Sequence, residues 1–208
     1  MRTLRPTLVV GIGGSAGALN AYKTFLDALP SRTGMAFVIV SHITPDANSQ
    51  LAQILSRHTK MTVVVAFTAM PIRANQVYVI PPDSDLLVEG DTLKVISPRS
   101  KRNVQIDLFL TSLAKAMGPR AVGIILSGMD GDGTEGCRQI KANGGTTFAQ
   151  DASAEVEVMS RSAQAAGCID FVLPPEKIPR ELKKLASALR PPLERRRAKS
   201  KFQGVEVS

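Results

Sequence analysis

The chain has 208 residues, 44% hydrophobic and 21% charged, with 16 Gly and 13 Pro. This ordinary globular composition of one-domain size excludes disorder, collagen and coiled coil. Its longest apolar runs, such as Met35 to Val40 and Met61 to Phe67, fall short of the roughly 18 to 20 residues a membrane-spanning helix needs.

The formal net charge is +8, but it is unevenly placed: from Pro174 onward ten Lys/Arg face four Asp/Glu, against sixteen and fourteen in residues 1–173. The basicity therefore belongs to a closing helix and a tail, Glu194-Arg195-Arg196-Arg197-Ala198-Lys199-Ser200-Lys201. Such a run is expected to be a solvated, disordered end. A polyanion-binding tail is the rival reading, and no specific nucleic acid is expected. Two cysteines, Cys137 and Cys168, in a chain able to stabilise itself by burial, are expected to be reduced, in the cytoplasm. Arg2 and Arg5 before Leu8-Val9-Val10 imitate a signal peptide, but Gly11, Gly13 and Gly14 interrupt its apolar stretch, so it reads as a first core strand.

Short β-branched runs then alternate with helix-period stretches, the pattern of a doubly wound, mostly parallel α/β sheet with helices on both faces. Thr7 to Ile12 is the first strand. Leu19, Tyr22, Leu26 and Leu29 line one helix face that Pro30 closes. Strand Met35–Ser41, a helix from about Asn48 to Arg57, and strands Thr62–Phe67 and Gln76–Ile80 follow. Leu86-Leu87-Val88 and Thr92 to Ile96 flank Glu89-Gly90-Asp91, an antiparallel hairpin inserted into the α/β pattern. Alternation resumes with a helix carrying Ile106, Phe109, Leu110, Leu113 and Met117, strand Ala121–Leu126 and a Gly-rich turn. A helix around Thr134–Asn143, strand Thr146–Ala149, a helix near Val156–Ala166, strand Ile169–Leu173 and a helix to about Leu189 complete it. Residues 1–190 read as one domain and residues 191–208 as the tail.

Ligands of such sheets sit beyond the carboxyl ends of the strands, and three ends carry chemistry. The first is Gly11-Ile12-Gly13-Gly14-Ser15-Ala16-Gly17-Ala18. As Gly11-x-Gly13-x-x-Ala16 it resembles a dinucleotide turn, although Ser41-His42 stands where a ribose-binding acid is wanted. As Gly13-x-Ser15-x-Gly17 it is a nucleophile elbow, with the Ala16 N–H as an oxyanion donor at a helix N-terminus. The second is Ser41-His42, whose ring can face the same crevice and serve as base. His58 falls at a helix end, where a capping or solvated histidine is the ordinary explanation. The third is Ser127-Gly128-Met129-Asp130-Gly131-Asp132-Gly133, which offers an acid to orient the histidine. Its rivals are a helix cap and a calcium loop, the latter lacking the further acids of a roughly twelve-residue site. The order Ser15, His42, Asp132 excludes the α/β-hydrolases, which place histidine last.

At these residues the sequence resembles the catalytic domain of the chemotaxis protein-glutamate methylesterases, the CheB type, from about Leu8 to Leu189. The likeness rests on Val10 to Gly17, His42-Ile43-Thr44-Pro45-Asp46, Val77-Tyr78-Val79-Ile80-Pro81-Pro82, Gly123 to Gly133 and Thr147-Phe148-Ala149-Gln150-Asp151. It implies Ser15 as nucleophile, His42 as base and Asp132, in preference to Asp130, as acid. The Met129 N–H is implied as a second oxyanion donor beside Ala16. The implied reaction is hydrolysis of glutamate γ-methyl esters on chemoreceptor helices, with deamidation of certain glutamines by the same route, and no cofactor or metal has a necessary role. The implied partners are methylated chemoreceptor cytoplasmic helices, with a receptor methyltransferase or a separate regulatory protein beside them.

Three departures stand out. The chain begins almost at its first strand, where many members carry a phosphorylatable receiver domain, so control independent of one is expected. Ala16-Gly17-Ala18 replaces a common Thr-Gly-Gly and resembles forms fused to methyltransferases. Val158-Met159-Ser160-Arg161 lacks a Met-Pro-Arg of many relatives. A non-catalytic adaptor that engages an acidic partner through the basic tail is the alternative function.

Overall fold

The structure is a computed structural model that describes residues 5–42 and 45–189, without the side chains of residues 45–49. The expected tail, residues 191–208, lies outside the described residues, as do Ile43 and Thr44.

Among the described residues ten strands and six α-helices follow one another, in alternation except for five successive strands in the middle. In order they are β1 (Val9–Gly14), α1 (Ala18–Asp27), β2 (Ala36–Ser41), α2 (Pro45–Leu55), β3 (Thr62–Val65), β4 (Met70–Pro71), β5 (Gln76–Val79), β6 (Asp85–Glu89) and β7 (Thr92–Ile96). Then come α3 (Gln105–Met117), β8 (Ala121–Ile125), α4 (Thr134–Ala142), β9 (Thr146–Gln150), α5 (Val158–Ala165), β10 (Phe171–Leu173) and α6 (Ile178–Leu189). Seven strands form one parallel sheet in the order β10-β9-β8-β1-β2-β5-β3.

The period-two alternation of each strand sorts its side chains to opposite faces. Val10 and Ile12 of β1, Phe37 and Ile39 of β2, and Val122 and Ile124 of β8 join the core under α1, α2 and α6. Val9, Ala36, Val38 and Ile125 join the core under α3, α4 and α5. Full burial of an aliphatic or aromatic side chain is worth roughly 1.5–3 kcal/mol, so the Ile106, Phe109, Leu110 and Leu113 face of α3 anchors one whole layer.

The expected hairpin β6–β7 forms with Leu86 opposite Val95 and Val88 opposite Leu93. It is extended to a three-stranded sheet by the two-residue strand β4, too short to show a period in sequence. The first strand also runs later than its β-branched residues suggest. Pairing continues through Gly14, opposite Ser41 of β2, so Gly13 and Gly14, beyond the expected end at Ile12, lie in the strand with Gly11 and not in a turn.

Close packing explains those glycines. A Cβ on Gly11 would stand 2.6 Å from Leu110 Cδ2, and one on Gly13 would stand 2.4 Å from Ile106 Cγ2. Side chains of α3 therefore fill the space that a pyrophosphate cradle would need open, and the dinucleotide reading loses its glycine motif.

Candidate active site

The strand order sets β1 between β2 and β8, so the carboxyl ends that carry Ser15, His42 and the Asp132 turn are neighbours. This is the switch point of the sheet, where α1 leaves toward one face and the elements before β8 pack on the other.

The Asp132 carboxylate is the fixed point. Val104 at the N-cap of α3 offers no capping side chain, leaving first-turn N–H groups without a local acceptor. Asp132 supplies it from a distant turn: Oδ2 accepts the Ile106 N–H at 3.0 Å and Oδ1 accepts the Asp107 N–H at 2.8 Å. The dipole at this helix end favours its negative charge. Oδ2 also lies 2.5 Å from His42 Nε2, with the Asp132 side chain at 0% exposure and that of His42 at 7%. Both oxygens thus accept from N–H groups, as an acid that orients a histidine would.

Gly133 must follow. Its φ of +92° lies in the left-handed region, and a Cβ there would meet Ile125 Cδ1 at 2.4 Å and Ile106 Cγ2 at 2.8 Å.

Since Nε2 is taken by Asp132, Nδ1 is the ring nitrogen left for a nucleophile. Nδ1 is buried and lies 3.2 Å from Asp130 Oδ2, at ion-pair distance but off the line of a hydrogen bond. The His42 pKa is raised: burial pulls it down, but the Asp132 hydrogen bond and the charges of Asp132 and Asp130 together outweigh burial.

Ser15 is half-buried on the turn after β1, and its N–H donates to the Ser127 carbonyl at 2.9 Å. Among the described residues no hydrogen bond joins Ser15 to His42. Ser15 lines a cleft of about 260 Å³ with Leu19, Tyr22, Ser41, Leu51 and Ile54, a mainly apolar recess between α1 and α2. Neither the Ala16 N–H nor the Met129 N–H donates to a described residue, so both remain available to an oxyanion. Met129 stands 65% exposed.

Two residues not singled out from sequence tie these turns together. Ser127 Oγ donates to the Ala16 carbonyl at 2.7 Å and accepts the Val156 N–H at 2.9 Å, while Gln150 Oε1 accepts the Ser127 N–H at 3.0 Å. Both are buried, and both fall inside the segments that carried the resemblance. A third, Glu155, is exposed over the Ser15 turn: a Cβ on Gly17 would lie 2.8 Å from Glu155 Cβ. His58 is elsewhere, with Nδ1 3.0 Å from Asp27 Oδ2, as its helix-end position suggested.

A histidine gripped by a buried acid beside a serine turn with two unclaimed N–H groups is the outline of a serine hydrolase on a doubly wound sheet. The chain belongs to the CheB methylesterase family, which it matches over residues 10–182. A Leptospira interrogans protein, provisionally named a protein-glutamate methylesterase/protein-glutamine glutaminase, is 36% identical over 80% of this chain and 89% of its own length. An Anaeromyxobacter dehalogenans protein-glutamate methylesterase/protein-glutamine glutaminase is 36% identical over 85% of this chain and 53% of its own. The crystal structure of the Thermotoga maritima CheB methylesterase catalytic domain superposes with a TM-score of 0.79 at 29% identity, covering 86% of this chain and 98% of that one.

Proposed function

We propose that this chain is a protein-glutamate methylesterase that removes γ-methyl esters from glutamates of methyl-accepting chemoreceptor helices, and deamidates glutamines there, in chemotaxis-type signalling. The contact between His42 and Asp132 next to the Ser15 turn carries this reading, and the family membership supplies its substrate class. Ser15 Oγ attacks the side-chain carbonyl as His42 takes its proton through Nδ1. Asp132 fixes the tautomer and stabilises the imidazolium. The Ala16 and Met129 N–H groups receive the oxyanion. The imidazolium then protonates the departing methanol, and water activated by His42 releases the γ-glutamyl group from Ser15. A neutral methyl ester suits the mainly apolar cleft beside Ser15, and the carboxylate product, which must desolvate to stay, is expelled.

No helix among the described residues is long and apolar enough to cross a membrane. Residues 1–190 act as the catalytic unit in this reading, and a methyltransferase or separate regulatory protein sets its activity. Relatives named for the esterase activity disfavour the adaptor alternative. The experiment is methanol release from methylated receptor membranes. Wild type releases it and Ser15→Ala does not; equal release by both would remove Ser15 from the mechanism.

A further inference from the structure

His42 is faced by two carboxylates of one turn, and they are held differently. Asp132 is wholly enclosed and bound to two N–H groups of α3. Asp130 is 29% exposed, with Oδ1 accepting the Asp132 N–H at 3.1 Å and Oδ2 facing His42 Nδ1 at 3.2 Å. Nδ1 is the nitrogen that the mechanism above assigns to Ser15. With Asp130 beside it, this position favours a proton on Nδ1, and a protonated imidazole cannot act as base.

We propose that Asp130 is a positioning residue that keeps the resting His42 protonated at Nδ1 and away from Ser15, and that a docking substrate displaces it to make the site competent. The proposal rests on the esterase reading for its consequence in turnover, but its direct object is the state of the imidazole.

The turn is built for such a displacement. Met129, at its tip, is 65% exposed, where a substrate helix reaches it first. A Cβ on Gly131 would meet nothing within 4 Å, so the segment between the two aspartates has room to move while Asp132 stays clamped. Because the Met129 N–H is also the second oxyanion donor, one movement of this turn both frees Nδ1 and sets that donor. Among the described residues the charged groups that act on His42 are Asp132 and Asp130, and they oppose burial in the same direction.

The test is Asp130→Asn, which keeps an oxygen for the Asp132 N–H and removes the charge. The chain has two histidines, so both imidazoles are resolved in one NMR pH titration, with His58 against Asp27 as the internal reference. The His42 midpoint is expected to fall. In methanol release the acid limb of kcat/KM should move to lower pH, raising the rate at about pH 6 relative to about pH 8 by roughly threefold. An unmoved His42 midpoint overturns the proposal whatever the turnover shows. So does a uniform loss of kcat at every pH, which would make Asp130 a support of catalysis. A chain that demethylates nothing would instead refute the esterase reading, leaving the titration to judge Asp130.

Discussion

Replacing Asp132 separates its two duties. The carboxylate caps α3 through Ile106 and Asp107 and holds His42. Asp132→Ala removes all three contacts and leaves the buried Ile106 N–H without an acceptor. Hydrogen bonds to charged groups are worth about 1.5–3 kcal/mol each, and a stranded buried donor costs about 1–3 kcal/mol. Water entering the emptied space would offset part of this, and a net loss of about 3–5 kcal/mol is expected. Asp132→Asn keeps an oxygen for the helix end, so its loss should be that of a weakened cap, about 1–2 kcal/mol. Its amide nitrogen, however, turns toward His42 Nε2 and makes that atom an acceptor, which places the proton on Nδ1 and disables the base. A fall in kcat of about 10³–10⁴ follows. Urea unfolding reads the first quantity and methanol release the second, at equal folded concentration. A folded Asn variant within about tenfold of wild-type kcat, or an Ala variant that loses less than about 1 kcal/mol, would contradict these two roles of Asp132.

Other expectations bear on separate parts of the structure. Ser15→Ala should abolish turnover while shifting stability by no more than about 0.5 kcal/mol, as usual for a side chain outside the core; a large fall in the unfolding midpoint would give Ser15 a structural role. Gly13→Ala drives a methyl into Ile106, whose Cγ2 would be 2.4 Å away. It should destabilise by about 1–3 kcal/mol in urea unfolding, and a neutral result would mean α3 is not seated as described. Among the described residues the buried Tyr22 hydroxyl has no hydrogen-bond partner, and burial raises its pKa. Tyr22→Phe should therefore cost less than about 0.5 kcal/mol, and a larger loss would reveal a working partner such as Ser41. Because the His42 pKa is raised from 6.5, esterase activity should rise with pH through a midpoint above that value. An acid limb at or below it would contradict the double-aspartate environment.

The α/β alternation and the three chemistry-bearing strand ends were legible because both are local. Period two sorts the strand residues, and Gly, Ser, His and Asp mark the ends. What the sequence hid were partnerships across distance. Gly13 read as part of a turn because Ile106 of α3, which occupies its empty side, is supplied some ninety residues later. The helix beginning at Pro45 was expected from about Asn48, although proline suits a first helical position. Asp132 as the cap of α3 lay beyond reach for the same reason: the local N-cap is Val104, and the signal for its replacement is only that absence. Ser127 and Gln150 looked like ordinary polar residues at strand ends, and only their burial shows them as ties between turns.

In the proposed mechanism Ser15 carries the γ-glutamyl group. A methylated receptor fragment mixed with wild-type enzyme and quenched with acid within milliseconds to seconds, then mapped by peptide mass, tests it directly. An adduct on the peptide containing Ser15, absent from Ser15→Ala and formed at a greatly reduced rate in His42→Ala, is the predicted result. Demethylation that proceeds normally in Ser15→Ala, with no adduct on that peptide in wild type, would contradict it.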